Sequence, residues 1–312
     1  MPQHPPRPDR TGCNLLVILG PTASGKTRLG VAAAGRLNGE IISADSRQVF
    51  RGMDIGTGKD LDEYGNVPYH LIDILDAGEE FSVFAFQRLF NDAFTAIRSR
   101  GRLPILVGGT GLYLDAVLRG YRMIEVPKDP VLRDELAELP LEALRERLLS
   151  LNPRVHNSTD LIDRERLVRA IEIAAVEQTA TEAEAPALPE LRPLVFGIRL
   201  ERELLRRRIT ERLKARLSHG MIEEVERLLA GGLPAERLDW YGLEYRFVTR
   251  YLRGELNRND MFQKLNAAIH EFAKKQEHWF RRMEKNGVEI IWLDGGNDPL
   301  AALLAEKARR EG

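Results

Sequence analysis

The sequence predicts an α/β fold built on a parallel sheet and carrying a small helical insertion. Three observations predict it. An apolar run of strand length, Leu15 to Leu19, leads through the glycine-rich Gly20-Pro21-Thr22-Ala23-Ser24-Gly25-Lys26-Thr27 into the helix-compatible Leu29 to Leu37. Further apolar runs of strand length end in polar or glycine-rich turns, the places where open α/β sheets bind ligands. After Pro127 the chain changes to charged segments of helical period. With 312 residues and 43% hydrophobic composition it can bury a large core, and that length favours one large domain with a smaller appendage.

The first turn matches G-x-x-x-x-G-K-[ST] in the strand, loop, helix context the motif requires. Its glycines let backbone N–H groups curl around phosphate oxygens, the helix N-terminus adds its positive dipole end, and Lys26 adds a mobile charge. Thr27 is the expected hydroxyl ligand of Mg²⁺. The motif points to a diphosphate or polyphosphate and does not single out a nucleotide. Glu40 to Ala44 reads as a second strand ending in Asp45-Ser46-Arg47-Gln48, which a parallel sheet would bring close to the first loop, about one strand away. Arg51 to Lys59 reads as glycine-rich loop and His70 to Ile74 as a short strand. Ser82 is an N-cap for a helix whose Phe84, Phe86, Leu89, Phe90, Phe94 and Ile97 form an apolar stripe suited to core packing. Leu103 to Val107 is another buried strand; Gly108-Gly109-Thr110-Gly111 follows, where backbone can approach a ligand closely, then helical Leu112 to Leu118.

The insertion comprises Asp129 to Leu139, Leu141 to Leu151 and Ile162 to Val176, and closes in a flexible linker from Thr179 to Pro193. Leu194 to Ile198 returns to strand character. Leu205, Ile209, Leu213 and Leu217 then step by four, a pattern continued by Met221 to Leu229 until Gly231-Gly232-Leu233-Pro234. Asp260 to Lys285 is a long helix and Val288 to Leu293 a last strand. The resulting organisation is a disordered tail at 1–12, a core at 13–126, the helical insertion and linker at 127–193, and core completion with C-terminal helices at 194–312.

Formal net charge is −1 with 30% charged residues, so any nucleic-acid binding must come from local basic surface. Such surface exists in Arg206, Arg207, Arg208, Arg212, Lys214 and Arg216, in Arg164, Arg166 and Arg169, and in Lys274, Lys275, Arg281 and Arg282. Neighbouring glutamates, among them Glu165 four residues before Arg169, favour reading each patch as a solvated face of ordinary helical ion pairs. The single cysteine, Cys13, excludes intramolecular disulfides and a multi-cysteine zinc site and fits a reducing compartment such as the cytoplasm. His156, His219, His270 and His278 lack metal-ligand spacing. No apolar run approaches the roughly 18 residues of a membrane span.

A phosphate-loop ATPase or kinase pairs its loop with an apolar strand ending in Asp, yet Leu103 to Val107 ends in two glycines. Asp45 is the most suggestive acid: it can act as general base toward a nucleophile that attacks the carbon bearing a diphosphate, or it can be a turn aspartate.

Taken together, GPTASGKT at Gly20 to Thr27, ISADSRQ at Ile42 to Gln48, RGMDIGTGK at Arg51 to Lys59, HLIDI at His70 to Ile74 and LVGGTGLY at Leu106 to Tyr113 resemble the tRNA dimethylallyltransferases, or isopentenyltransferases, in order and spacing. The resemblance continues through DRERLVRAIEI at Asp163 to Ile173, through Arg208-Ile209 with Arg212, and through Ala273 to Gln276 with Trp279-Phe280, covering nearly the whole chain. It implies a core like that of the P-loop-containing nucleoside triphosphate hydrolases, with a parallel sheet and a helical insertion that binds the anticodon stem-loop of tRNA. It further implies transfer of a dimethylallyl group from dimethylallyl diphosphate to the exocyclic amine of an adenosine beside the anticodon, without consumption of ATP, by a cytoplasmic monomer. By the same resemblance Gly20 to Thr27 hold the diphosphate and Mg²⁺, Asp45 accepts the amine proton, and Ser46, Arg47 and Gln48 contact the target nucleotide. Thr110 and Arg133 flank that nucleotide, Arg208 and Arg212 clamp the diphosphate, and Glu165, Arg166, Leu167, Val168 and Arg169 meet tRNA. The chain departs from the family at Gly242-Leu243-Glu244-Tyr245-Arg246 and at Ile269-His270. Adenylate isopentenyltransferases, which act on free nucleotides, and small-molecule kinases are the alternative readings.

Overall fold

The computed structural model describes residues 12–152, 163–179 and 188–311. The expected tail, most of the linker, His156 and Ile162 lie outside the described residues. Six strands, β1 (Leu15–Leu19), β2 (Gly39–Ala44), β3 (Tyr69–His70), β4 (Leu103–Gly108), β5 (Pro193–Arg199) and β6 (Ile291–Asp294), form one sheet in the order β3-β2-β4-β1-β5-β6. Every pairing is parallel. The helices are α1 (Lys26–Leu37), α2 (Val83–Ser99), α3 (Gly111–Leu118), α4 (Pro130–Ala137), α5 (Leu141–Leu151), α6 (Arg164–Thr179), α7 (Arg202–Ser218), α8 (Met221–Ala230), α9 (Ala235–Leu238), α10 (Leu243–Leu252), α11 (Arg258–Lys285) and α12 (Pro299–Glu311). No helix among the described residues is long and apolar enough to cross a membrane.

All five residues of β1 are buried, as a strand covered on both faces requires. Alternation divides them: Leu15, Val17 and Leu19 face Phe86, Phe90, Phe94 and Phe280, while Leu16 and Ile18 face Leu29, Ala33, Phe196 and Leu303. The aromatic stripe of α2 is therefore core, and Ser82 caps that helix by accepting from Ala85 N at 3.1 Å. A further core joins α7, α8, α10 and α11 through Ile209, Leu213, Val225, Val248 and Leu265.

The chain divides into two compact units, Met1–Gly120 with Pro189–Gly312, and Tyr121–Leu188. Within the second, Leu136, Leu144, Leu148, Leu167 and Ile171 make a separate core.

Three elements differ from expectation. The strand read at His70 to Ile74 ends at His70, because Leu71 and Asp73 take left-handed backbone with φ of 64° and 55°. Gly220, at φ 98°, separates α7 from α8 where the apolar pattern runs on. The last strand begins at Ile291, three residues later than Val288.

Candidate active site

Parallel strands bring the loops after β1, β2 and β4 to one edge of the sheet. Asp45, after β2, is two strands from the Gly20–Thr27 loop, since β4 lies between them; the expectation of one strand is corrected accordingly. The loop after β4 joins the two. Thr110 caps α3 without a side-chain cap bond; its Oγ1 instead accepts from Ser46 N at 3.1 Å. Gln276, buried on α11, takes the Thr22 N–H on its Oε1 at 2.8 Å and donates from Nε2 to Gly109 O at 2.9 Å. One amide from the far end of the chain thus fastens the first loop to the third.

The glycines after β4 answer to this packing. A β-carbon on Gly109 would lie 2.4 Å from Gln276 Nε2, and one on Gly111 2.3 Å from the Trp279 ring. They admit α11, where the sequence suggested room for a ligand.

The Gly20–Thr27 loop is built for an anion. α1 starts at Lys26 behind Gly25, whose φ of 90° only glycine adopts freely, and no side chain caps its first-turn amides. Ala23 holds a left-handed φ of 62° in the same loop. Ser24 Oγ is buried there without a partner. Lys26 Nζ donates to Pro21 O at 3.3 Å. Enclosure by protein, opposed by Asp45 and reinforced by Arg212 and Arg216, pushes Lys26 down from 10.5 to about 8. Burial likewise brings Arg212 down to about 10, with Arg216 adding repulsion. Cations buried side by side favour an anion that would offset their repulsion.

These arginines come from α7. Arg208, Arg212 and Arg216, spaced by four, lie on its inward side with Leu205, Ile209 and Leu213 nearby, whereas Arg206, Arg207 and Lys214 face solvent. Arg212 donates to Thr22 Oγ1, and the Arg208 guanidinium stands 3.9 Å from the position of a β-carbon on Gly25.

Asp45 is half-buried, and its Oδ1 accepts from Arg47 N at 2.9 Å. It is therefore a turn aspartate by one oxygen and has the other for chemistry. Arg47 is exposed; desolvation by the protein around its guanidinium lowers its pKa, against the opposing pull of Asp45. Gln48 is turned inward: it accepts from Ser43 Oγ at 2.9 Å and donates to Gly58 O at 3.0 Å. Its amide fastens the turn after β2 to the turn at Gly58.

Two anchors of the Arg51–Lys59 loop carry partners that the sequence does not show. Buried Glu224 accepts from Asp54 N, Ile55 N and Gly56 N at 2.9, 2.7 and 2.9 Å, and from Tyr245 Oη at 2.7 Å. Lys59, 1% exposed, donates to Phe50 O at 2.7 Å and pairs with Asp54 and Asp73. Tyr245, in the segment that departs from the family, is thus part of the scaffold under Arg51–Lys59. In sequence Glu224 stands far from every residue it binds, and Lys59 has only Asp54 close by, five residues before it.

In the second unit, Arg133 donates to Glu172 at 2.6 and 3.0 Å, and Arg169 donates to Glu172 at 2.9 Å and to Val126 O at 2.6 Å. Burial would raise Glu172, but these arginines outweigh it and hold the carboxyl down to about 2. Leu167 and Val168 are core, while Glu165 and Arg166 are exposed. Of the segment expected to meet tRNA, only the latter two present side chains that are not engaged in packing or in the Glu172 cluster.

Among the described residues no group of three His, Cys, Asp or Glu could hold a metal ion. The hard oxygen of Thr27, next to Lys26, suits Mg²⁺ when substrate oxygens complete the shell.

The model of the IPP transferase family matches residues 48–283. Over 292 residues the chain is 69% identical to tRNA dimethylallyltransferase 2 of Syntrophotalea carbinolica, covering 94% of this chain and 98% of that one. It is 66% identical to tRNA dimethylallyltransferase 1 of Geotalea uraniireducens, with 92% and 95% covered. The crystal structure of the full-length tRNA isopentenylpyrophosphate transferase of Bacillus halodurans superposes with a TM-score of 0.69 at 34% identity, covering 96% of this chain and 97% of the other. The fold is accordingly that of the P-loop nucleoside triphosphate hydrolases with a parallel sheet.

Proposed function

Because this chain belongs to the IPP transferase family, we propose that it transfers a dimethylallyl group from dimethylallyl diphosphate to the exocyclic N6 amine of an adenosine adjacent to the anticodon of tRNA. The observation that carries the reading is a phosphate cradle and a carboxylate on one sheet edge, with Gly108 and Gly109 where a nucleoside triphosphatase would carry its acid. A site without that acid suits a diphosphate that leaves rather than one attacked by water.

In this reading Gly20 to Thr27, Lys26, Arg208 and Arg212 bind the diphosphate and stabilise the charge that grows on it as the C1–O bond breaks. The amine nitrogen forms the new bond to C1, the electron pair of the broken bond leaves with diphosphate, and Asp45 takes the amine proton. The backbone bond from Arg47 to Asp45 orients the carboxylate for that role. Thr27 would hold Mg²⁺, which supplies further neutralisation of the leaving group when bound. The target base must leave its stack to reach the cleft, and Ser46, Arg47 and Thr110 stand at the mouth where it would enter. Arg166 of the insertion is the exposed cation offered to the tRNA backbone, with Glu165 exposed beside it. The enzyme is read as a cytoplasmic monomer, which light scattering of the purified chain checks directly.

Incubating the chain with labelled dimethylallyl diphosphate, Mg²⁺ and unmodified tRNA should place label on the adenosine beside the anticodon, as read by nucleoside mass spectrometry. Label on free AMP with none on tRNA would overturn the reading in favour of an adenylate isopentenyltransferase.

A further inference from the structure

Two of the three inward arginines of α7, Arg208 and Arg212, face the diphosphate in the proposed reaction. The third, Arg216, is 9% exposed. Its seat is made by a glycine: a β-carbon on Gly58 would lie 1.7 Å from Arg216 Nη2, and Gly58 also holds a φ of 66°. Asp60 Oδ2 stands 3.7 Å from one terminal nitrogen and Glu244 Oε1 3.8 Å from the other. Both are ion-pair distances beyond hydrogen-bond length, so the charge is balanced while the N–H donors stay uncommitted.

The turn carrying Gly58 is held from two sides. Lys59 points inward to Phe50 O, Asp54 and Asp73, while Asp60, at a left-handed φ of 46°, reaches Arg216. Glu244 belongs to α10, at the position where the chain departs from its family's motif, so Arg216 joins the turn, α7 and α10 at one guanidinium. Its charge is also felt at Lys26 and at Arg212.

We propose that Arg216 is a positioning residue for the diphosphate, tying the 54–60 turn to α7 and α10 and holding a third positive charge beside Lys26 and Arg212. This deepens the reading of the cleft as a diphosphate seat and rests on it. An aliphatic side chain of similar length would fill the space and lose the charge; a lysine would keep the charge and lose the two-sided geometry.

The test is calorimetric titration of dimethylallyl diphosphate, and of inorganic pyrophosphate, into the full chain and its Arg216→Met, Arg216→Lys, Gly58→Ala and Gly58→Ala/Arg216→Met variants, at several pH values. Arg216→Met should weaken binding of both about tenfold. Its loss of affinity at alkaline pH should move to higher pH, since Lys26 has lost a cationic neighbour. Arg216→Lys should recover most of the affinity. Gly58→Ala should weaken binding by displacing the guanidinium, and the double variant should be no weaker than Arg216→Met alone, because both changes act on one seat. Wild-type affinity and an unmoved pH profile in Arg216→Met would overturn the proposal, as would independent, additive losses in the double variant. Should Arg216→Met not fold, Arg216→Lys against Gly58→Ala decides the matter in the same way. A wild-type chain that binds diphosphate but prenylates no tRNA would sink the functional reading and leave this inference standing.

Discussion

α6 and α7 both carry runs of arginine that look alike in sequence, and the structure uses them in opposite ways. On α6, Arg164 donates to the carbonyls of Leu136, Ala137 and Leu139 at the end of α4, and Arg169 is spent on Glu172 and Val126 O. Those cations hold their own unit together. On α7 the row Arg208, Arg212 and Arg216 turns toward the anion loop, where Arg212 donates to a threonine hydroxyl and Arg216 pairs with two carboxylates only beyond hydrogen-bond length. The difference lies in what each guanidinium already holds: a cation with buried acids and carbonyls is structure, and one crowded among other cations is prepared for a ligand.

The largest effect should fall on the chemistry itself. Asp45→Asn keeps the shape of the turn and should slow transfer by about 10²- to 10⁴-fold while both substrates still bind. Next, Arg212→Ala should cost on the order of 10²- to 10³-fold in kcat/KM, by removing a donor to the developing diphosphate charge and the tie to Thr22. The same truncation on α6 should leave diphosphate binding untouched: Arg169→Ala strips one of two guanidinium partners from a glutamate 1% exposed and should lower stability by about 2 kcal/mol, read by thermal melting. If Arg169→Ala instead left the melt unchanged and abolished tRNA binding, the contrast between the helices would be wrong.

pH separates the two regions further. Lys26 loses its proton near pH 8, so affinity for dimethylallyl diphosphate should fall as pH rises through about 8. Glu172 sits at about 2 in the fold against an ordinary 4.5, so the stability it contributes is complete above 4.5 and is lost as pH falls from there toward 2. Alkaline pH should therefore impair the cleft and acid pH the insertion. The smallest effect belongs to Arg166→Ala: its side chain is exposed, so stability should move by no more than about 0.5 kcal/mol, and any loss should appear in tRNA affinity alone.

How legible all this was in the sequence follows from the range of the interactions. The strand, loop and helix around Gly20 to Thr27, the cap at Ser82 and Asp45 at a strand end rest on neighbours within a few residues, and local pattern exposes them. Gln276 closing on Thr22, Glu224 collecting the amides of residues 54–56 and Arg216 filling the space over Gly58 each span more than a hundred residues, and no periodicity marks such partners. The signal that did exist was the four-residue spacing of Arg208, Arg212 and Arg216, which separates an inner row from the outer basic residues of α7. The strand order was equally silent, because apolar runs reveal strands and not their neighbours.

In the proposed reaction a diphosphate seated at Lys26 and Arg212 is displaced by an adenosine amine whose proton goes to Asp45. Single-turnover transfer of labelled dimethylallyl to tRNA, with both substrates saturating, tests it most directly. The native chain should transfer efficiently, and Asp45→Asn should be slower by about 10²- to 10⁴-fold with substrate affinities kept; an unchanged rate in a folded Asp45→Asn protein would rule Asp45 out as the base.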